Sequence, residues 1–470
     1  MSTICCLKKS QVVYRPRRPE KTILFDVIKK NYKTWYKNQK NTVPKYVDKE
    51  FQKYLECGIL AKGFALAHCA DCSKDFLIAF SCKGRGICPS CNSRVMVETA
   101  ANLVDNVIPN VPVRQWVISF PMRIRHYLQT HKILQTVLRI VVDEIRRRLI
   151  VCRSDVPDPK IVAITFIHQF GKTLNYHPHF HIIAADGLFN ADSNGLLFHE
   201  IALTPDDIAD TEDSIRKRVL RYFRRQGWFD KETIKRIGSS KNNGFSLDAN
   251  VLIPSWDREG LERLIRYCAR PCFKSENLRW NGPWVYYRLP KPTHKGKAFI
   301  QFEPLEFIDR ISRFIPYPRL HRRHYHGVFA PNSPMRPKVS ANAKKRPKSS
   351  IPPNVQESAD KVEKASLGWA QLIARIYEVN PLICQCGKEI KITAFVLHLA
   401  EIRRVLSRIG WPLAIPEFDP PYDIPDKDIC QLLPWTEDGF TPDEADIQIM
   451  AGGPDPPFVE CCSDPPHWED

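Results

Sequence analysis

The chain reads as a mixed α/β protein of several domains, with an α+β arrangement of antiparallel strands and flanking helices at its centre. Three observations lead there. Between about residues 112 and 330, β-branched apolar runs alternate with charged runs of helical character. Two of those apolar runs, 161–168 and 179–187, are separated only by the short polar piece QFGKTLNYHP, which predicts a hairpin. Upstream lies a compact cysteine-rich segment, and downstream the composition turns polar and then acidic.

The 470 residues exceed one ordinary core, and roughly 150 residues per domain implies two to four. An apolar fraction of 43% can bury a sizeable core. No run of about 18 apolar residues is present, which argues against a membrane-spanning helix. The first twenty residues lack the apolar stretch of an export signal, so a cytoplasmic, reducing compartment is expected, and disulfides are not.

The elements follow in order. Residues 1–55 are basic and aromatic, with a helix expected over 22–37. Residues 56–110 hold the cysteine-rich module. Within 111–330, strands are expected at 114–121, 161–168, 179–187, 284–289 and 297–302, and helices at about 126–152, 206–227 and 257–269. Residues 331–365 are rich in Pro, Ser and Lys, read as a linker. An amphipathic helix over 367–379 belongs to a C-terminal segment at 366–410. Residues 411–470 form an acidic, Pro-rich tail, expected to be loosely structured and partly disordered.

Charge narrows the partner. The chain carries 70 Lys and Arg against 52 Asp and Glu, a net of +18. The tail holds fifteen acidic side chains and one lysine, so the first 410 residues carry +32. A basic body with an acidic tail points to a polyanion, nucleic acid above all. A solvated basic surface is the plainer reading. The tail could shield the body when no polyanion is bound.

Cysteine spacing speaks next. Cys69 and Cys72 are two residues apart, as are Cys88 and Cys91, with fifteen residues between the pairs. Two such knuckles suit one tetrahedral tetrathiolate zinc site, and four thiolates leave no open position for a substrate. Cys57, His68 and Cys82 lie in the same segment and read as buried bystanders, although they could replace a ligand or complete a second site. Cys384 and Cys386 form a weaker echo with only one residue between them, a degenerate knuckle.

The most unusual run is Asn175 to Ile183, with His177, His179 and His181 two apart. On a strand, His179 and His181 face one side while Phe180 and Ile182 face the other. Two imidazoles on one face can hold a divalent cation. His168, at the end of the preceding strand, is the expected third ligand through cross-strand pairing. Gln169 competes if the register slips by one. His177 precedes a proline and can face solvent or nucleic acid.

A basic helix carries the candidate nucleophile. Leu261, Leu264, Ile265 and Cys268 form one apolar stripe, and Tyr267 stands at its border among Arg263, Arg266 and Arg270. Alone, such a tyrosine reads as a core boundary residue. The arginines could bind phosphate and favour the phenolate, and an activated tyrosine can attack a polarised phosphate.

Taken together, these residues resemble a known family. The His-hydrophobic-His strand followed by a tyrosine helix is the signature of HUH endonucleases. SCKGRGICPSCNSR (81–94), VPVRQWVISFP (111–121), LNYHPHFHIIAADG (174–187), IRYCARP (265–271), RFIPYPRLHRRHYHGVFAPNSPMR (313–336) and WAQLIARIYEVNPLICQCG (369–387) resemble, in order, the blocks of rolling-circle transposases of the insertion-sequence ninety-one family. The resemblance spans roughly residues 50–400. It implies an N-terminal zinc-binding domain followed by an HUH catalytic domain. His179 and His181, with His168, would hold Mg²⁺ or Mn²⁺. Tyr267 would attack single-stranded transposon ends, leaving a 5′-phosphotyrosine and a free 3′-OH, with no small-molecule cofactor needed. Arg263, Arg266, Arg270, His177, Arg322 and Arg323 would contact DNA. A bacterial, nucleoid-associated location follows.

The chain departs from the family at Arg263, where founding members carry a second tyrosine four residues before the first. A single tyrosine must be used twice, be joined by a second subunit in a homodimer, or yield the second transfer to a 3′-OH. Three other readings compete. Related replication initiators and relaxases share the chemistry but lack the zinc module and the C-terminal blocks. A metal-dependent hydrolase would need further ligands, whereas the later histidines cluster in the Arg-rich run LHRRHYHG (320–327), which reads as phosphate contact. The last reading is a non-catalytic zinc-dependent DNA-binding protein.

Overall fold

A computed structural model describes residues 18–39, 43–192, 195–239, 244–293, 296–341, 343, 384, 386, 388 and 390–411. The expected helix over 367–379 and the acidic tail lie outside these residues.

The N-terminal module opens with α1 (Ile23–Asn38) and α2 (Lys45–Glu56), followed by the hairpin β1 (Phe64–Cys69) and β2 (Lys74–Ala79) and by α3 (Pro89–Asn106). Helix α1 begins where the Thr22 hydroxyl accepts the Phe25 N–H, a standard N-cap. Its lysines point outward while Leu24, Ile28, Tyr32 and Trp35 are buried. The Tyr32 hydroxyl donates to buried Asp48 of α2 at 2.6 Å. The basic first 55 residues therefore include two helices that contribute to a core.

Next come β3 (Val113–Ser119), α4 (Met122–Arg125) and α5 (His131–Cys152). Extended Thr130 delays the long helix by a few residues relative to the sequence expectation. The chain continues through β4 (Val162–Phe170), β5 (Tyr176–Ala185), the pair β6 (Gly187–Asp192) and β7 (Gly195–Glu200), then α6 (Pro205–Arg225) and α7 (Lys231–Ser239). A capping box at Thr204 and Asp207 starts α6. Then follow β8 (Ser246–Ile253), α8 (Arg258–Cys268), the short strands β9 (Leu278–Trp280), β10 (Val285–Arg288) and β11 (Phe299–Phe302), and α9 (Pro304–Ser312). The last elements are β12 (Arg323–Gly327), α10 (Arg336–Ala341), β13 (Lys391–Val396) and α11 (Leu399–Arg408).

Five strands make the central sheet, in the order β12-β4-β5-β3-β8, and every neighbouring pair is antiparallel. The predicted β4–β5 hairpin is present, and β5 lies at the centre. Strand parity sorts the two faces. Trp116, Ile118, Phe180 and Ile182 pack with α5 and α6 on one side. Ile164, Phe166 and Ile183 pack with Leu103 of α3 and Leu261 and Ile265 of α8 on the other. Each fully buried large side chain of this kind contributes roughly 1.5–3 kcal/mol.

A separate core joins α1 and α2 to β9–β11, α9 and α11. Residues from early and late in the described chain, from Leu24 to Leu406, meet there. The linker expected over 331–365 begins instead with ordered chain. Val339 of α10 is fully buried against the α3–α8 layer, and the Ser340 hydroxyl donates to the Val107 carbonyl.

The run LHRRHYHG also turns inward. It forms edge strand β12, where Arg322 donates to the Arg85 carbonyl and Arg323 to the Thr99 hydroxyl at 2.7 Å. Buried His326 lies 2.8 Å from the Thr165 hydroxyl. Burial, reinforced by nearby His324, pushes its pKa from 6.5 down to about 3.

The sign of that shift yields a prediction. The unfolded chain protonates this imidazole below about pH 6.5, whereas the folded chain resists until about 3, so stability is full above 6.5 and is lost as pH falls toward 3. Urea titrations at pH 7.5 and 5.0 should show His326→Gln losing about 2 kcal/mol less than the parent on acidification. Equal losses would exclude the burial of a neutral His326 as a source of acid sensitivity.

Candidate active site and cysteine clusters

The hairpin register creates the candidate site. His168 of β4 lies opposite His179 of β5, and His181 follows on the same face. The His168 ring centroid is 5.0 Å from that of His179 and 4.5 Å from that of His181, and the latter two are 5.0 Å apart. One ring nitrogen from each lies within 4.8 Å of the others. Gln169 falls at the pairing irregularity between His168 and Phe170, so the register sets His168 and not Gln169 opposite His179.

Each imidazole has a neighbour suited to fixing its tautomer. His168 Nε2 donates to the Cys268 carbonyl at 2.6 Å, leaving buried Nδ1 without a hydrogen-bond partner. His179 Nδ1 donates to the His177 carbonyl at 2.8 Å, which leaves Nε2 for a ligand. His181 Nδ1 meets the side-chain amide of Gln115 at 2.9 Å, while its buried Nε2 has no hydrogen-bond partner. The amide nitrogen of Gln115 faces His181 Nδ1; turning the amide over would put its oxygen there, so that His181 donates from Nδ1 and keeps the Nε2 lone pair. Metal-binding histidines commonly have carbonyl partners of this kind.

The site favours neutral imidazoles. Burial, with the charges of Arg270 and Arg125 adding to it, pushes His179 down to about 4. Burial and the neighbouring His179 and Arg270 push His181 down to about 3. Burial also holds His168 well below its ordinary value. Three neutral nitrogens suit a divalent cation, and among the described residues no carboxylate joins their group.

Helix α8 lies over this face of the sheet. The same Cys268 whose carbonyl accepts from His168 follows Tyr267 in sequence. The Tyr267 ring is 51% exposed and stands 5.6 Å from the His181 ring. Arg270 lies 4.8 Å over the Tyr267 ring and 5.3 Å over Phe170.

The six expected DNA contacts separate. Buried Nε atoms of Arg266 and Arg270 have no hydrogen-bond partner. Arg266 also donates to Glu262 at 2.6 Å. Arg263 is exposed, with carboxylates only at 3.9 and 4.0 Å. Half-buried His177 contributes its carbonyl to His179. Arg322 and Arg323 do not share this surface, because both hold the sheet edge against the N-terminal module.

The cysteines group differently from the sequence expectation. Cys69, Cys72, Cys88 and Cys91 do not converge. Instead, Cys88 and Cys91 meet Cys57 and Cys82, while Cys69 and Cys72 meet Cys384 and Cys386. In the first cluster the sulfur separations include 3.7 Å for Cys57–Cys91, 3.6 Å for Cys57–Cys88 and 3.4 Å for Cys82–Cys91. A tetrahedron with zinc–sulfur bonds of roughly 2.3 Å has edges of roughly 3.8 Å, so this donor set fits zinc. Backbone N–H groups of Cys82 and Gly84 also point at the sulfurs of Cys57 and Cys82. Sequence reasoning missed Cys57 and Cys82 as members because neither belongs to a two-residue knuckle. Gln115 was missed as well, although it is a polar residue between Val113 and Val117 on the histidine-facing side of β3.

A sheet bearing a histidine cluster beneath a tyrosine helix, joined to a cysteine module, fits an enzyme acting on nucleic acid. Residues 163–336 match the family described as "Putative transposase", and residues 27–120 match the "Transposase zinc-binding domain" of the insertion-sequence ninety-one type. The chain is a transposase of that family, and such domains imply an enzyme that cleaves DNA and transfers strands. No curated protein and no solved structure matches the chain. No helix among the described residues is long and apolar enough to cross a membrane.

A divalent cation held by the three imidazoles would depend on Gln115, so Gln115→Leu should weaken binding of added Mn²⁺ about 10- to 100-fold while leaving the circular-dichroism spectrum unchanged. Titration calorimetry on the full chain reads the affinity directly, and an unchanged value would remove Gln115 from the site.

Proposed function

We propose that the protein is an HUH-type transposase that nicks and rejoins single-stranded DNA at transposon ends, with Tyr267 as nucleophile. The observation that carries this reading is the approach of the exposed Tyr267 ring to within 5.6 Å of the His181 ring, beside three imidazoles with neutral nitrogens.

His168 Nδ1, His179 Nε2 and His181 Nε2 would hold Mg²⁺ or Mn²⁺. When bound, such an ion polarises the scissile phosphate and lowers the barrier to attack. The remaining steps belong to the chain. The phenolic oxygen of Tyr267 attacks phosphorus, its proton passes to water, and the bond from phosphorus to the 3′ oxygen breaks. That oxygen takes a proton from solvent and leaves as a 3′-OH, while the 5′ phosphate remains esterified to Tyr267. Because one ester replaces another, attack by a 3′-OH can reverse the exchange without ATP. The guanidinium of Arg270, over the tyrosine ring and with an unsatisfied buried Nε, is suited to bind the phosphate and orient it.

Arg263 occupies the helical position four residues before Tyr267, so α8 carries one tyrosine. The second transfer then uses Tyr267 again, a second subunit, or the freed 3′-OH. The zinc-binding module, +32 over the first 410 residues and exposed Arg263 support DNA as the partner. The histidine triad and the exposed tyrosine favour this reading over a non-catalytic binding protein.

Covalent capture tests the proposal. Full-length protein, Mn²⁺ and labelled single-stranded element ends should give an adduct that survives a denaturing gel. Tyr267→Phe should give none, and His179→Ala should lower the yield by about 10²-fold or more while DNA binding persists. An adduct that persists in Tyr267→Phe would reject the assigned nucleophile. Tight binding without any adduct would favour the non-catalytic reading.

A further inference from the structure

The second cysteine cluster is assembled from chain segments more than three hundred residues apart. Cys72 Sγ lies 3.3 Å from Cys384 Sγ, and Cys69 Sγ lies 3.6 Å from Cys386 Sγ. All four sulfurs fall within 4.8 Å of one another. The match to a zinc-binding domain ends at residue 120, so it includes only half of this donor set.

The surroundings are built for such a site. Cys69 closes β1, and Cys72 lies in the turn leading to β2. Strand β13 adds to the outer edge of β1, from Phe64 opposite Val396 to His68 opposite Lys391. Ala67, Cys69, Cys384 and Ile390 form a small buried cluster, with Phe76 and Ile78 packed against it. The Cys384 N–H also donates to the Lys388 carbonyl at 2.7 Å.

Packing alone gives β13 little hold. Five of its six residues are exposed, and only Val396 is buried. Ile392 and Phe395 are 47% and 66% exposed. Helix α11, just beyond, is anchored by buried Ile402 and Leu406. The beginning of β13 therefore depends on its backbone pairing with β1 and on whatever draws Cys384 and Cys386 to Cys69 and Cys72.

We propose that Cys69, Cys72, Cys384 and Cys386 bind a second zinc ion, which clasps the C-terminal strand β13 to the N-terminal module. Four thiols lose their protons to solvent as four zinc–sulfur bonds form, with no change of oxidation state. One residue between Cys384 and Cys386 is sufficient here because the other two donors come from a complete knuckle. The ion is structural, since its four thiolates fill the tetrahedral shell. This inference is independent of the tyrosine chemistry.

Metal content and amide exchange test it together on the full chain, purified in reductant without added chelator. The parent protein should carry two zinc ions per chain by plasma mass spectrometry. The double variant Cys384→Ser, Cys386→Ser should carry one, and its amides over 391–396 should exchange at least tenfold faster while the β4–β5 hairpin stays protected. If the double variant does not fold, stepwise chelation of the parent provides the second test. Loss of one zinc should then accompany faster exchange over 391–396. One zinc in the parent, two in the folded double variant, a disulfide among these cysteines, or exchange indifferent to the second zinc would overturn the proposal.

Discussion

The pairing of β4 with β5 is the constraint on which the candidate site depends. It sets His168 opposite His179 and brings His181 onto the same face. A slip of one residue would exchange the histidines for Ile167, Phe180 and Ile182, which face the α5–α6 core. Two features hold the register. The hydrophobic parity of the central strand would be inverted by a slip of one, exposing large side chains to a polar site. The turn is also specific: the Gly171 N–H donates to the Asn175 carbonyl, and a Cβ at Gly171 would meet the Asn175 amide oxygen at 2.4 Å. Leu174 lies in the turn with φ of 54°, a conformation that costs a residue with a side chain something, and its buried side chain can offset that cost.

The same register links the sheet to the tyrosine helix. His168 donates to the carbonyl of Cys268, and Gln115 from β3 reaches both His181 and the Cys268 sulfur. The last turn of α8 is thereby tied to two of the three imidazoles. Burial does the electrostatic work, because it disfavours the imidazolium forms and leaves lone pairs for a cation. The cost is a cluster of buried polar atoms that remain unsatisfied in the protein alone, including His168 Nδ1 and His181 Nε2. Such atoms are expensive unless something fills the space between them.

Local chemistry was legible in the sequence, and long-range pairing much less so. The β4–β5 hairpin, the alternation of His179, Phe180 and His181, and the amphipathic stripe of α8 each depend on periodicity within a short window. Strand β8 and helix α3 were not anticipated. Strand β8 alternates only weakly, and α3 begins inside a cysteine knuckle. The cysteine grouping could not be read from spacing. A knuckle specifies that two sulfurs share an ion, but not which distant pair completes the set, and Cys72 meets Cys384 across 312 positions. Arg322 and Arg323 illustrate the converse error. An Arg-rich run resembles a phosphate-binding surface until its strand is placed at a sheet edge, where the guanidinium groups satisfy buried carbonyl and hydroxyl groups.

Net charge consequently overstates the surface available to DNA. Arg114 is buried and paired with Asp186 at 2.6 Å, Arg218 bridges Asp143 and Glu144, and Arg148 reaches Asp207 and Asp210. These cations hold strands and helices together and have little charge left for a polyanion. On α8 the division is finer. Arg266 is committed to Glu262 through one terminal nitrogen, whereas Arg263 keeps only distant carboxylates and Arg270, just past the helix, has none within ion-pair reach among the described residues. Arg270 is thus the cation nearest Tyr267 with its charge least compensated. Its planar group is fixed by stacking on two aromatic rings rather than by a carboxylate, so an arriving phosphate would meet a preorganised donor without having to break an existing ion pair. That economy is a physical reason to find the exposed tyrosine and the stacked arginine directly beside the largely buried, neutral histidines.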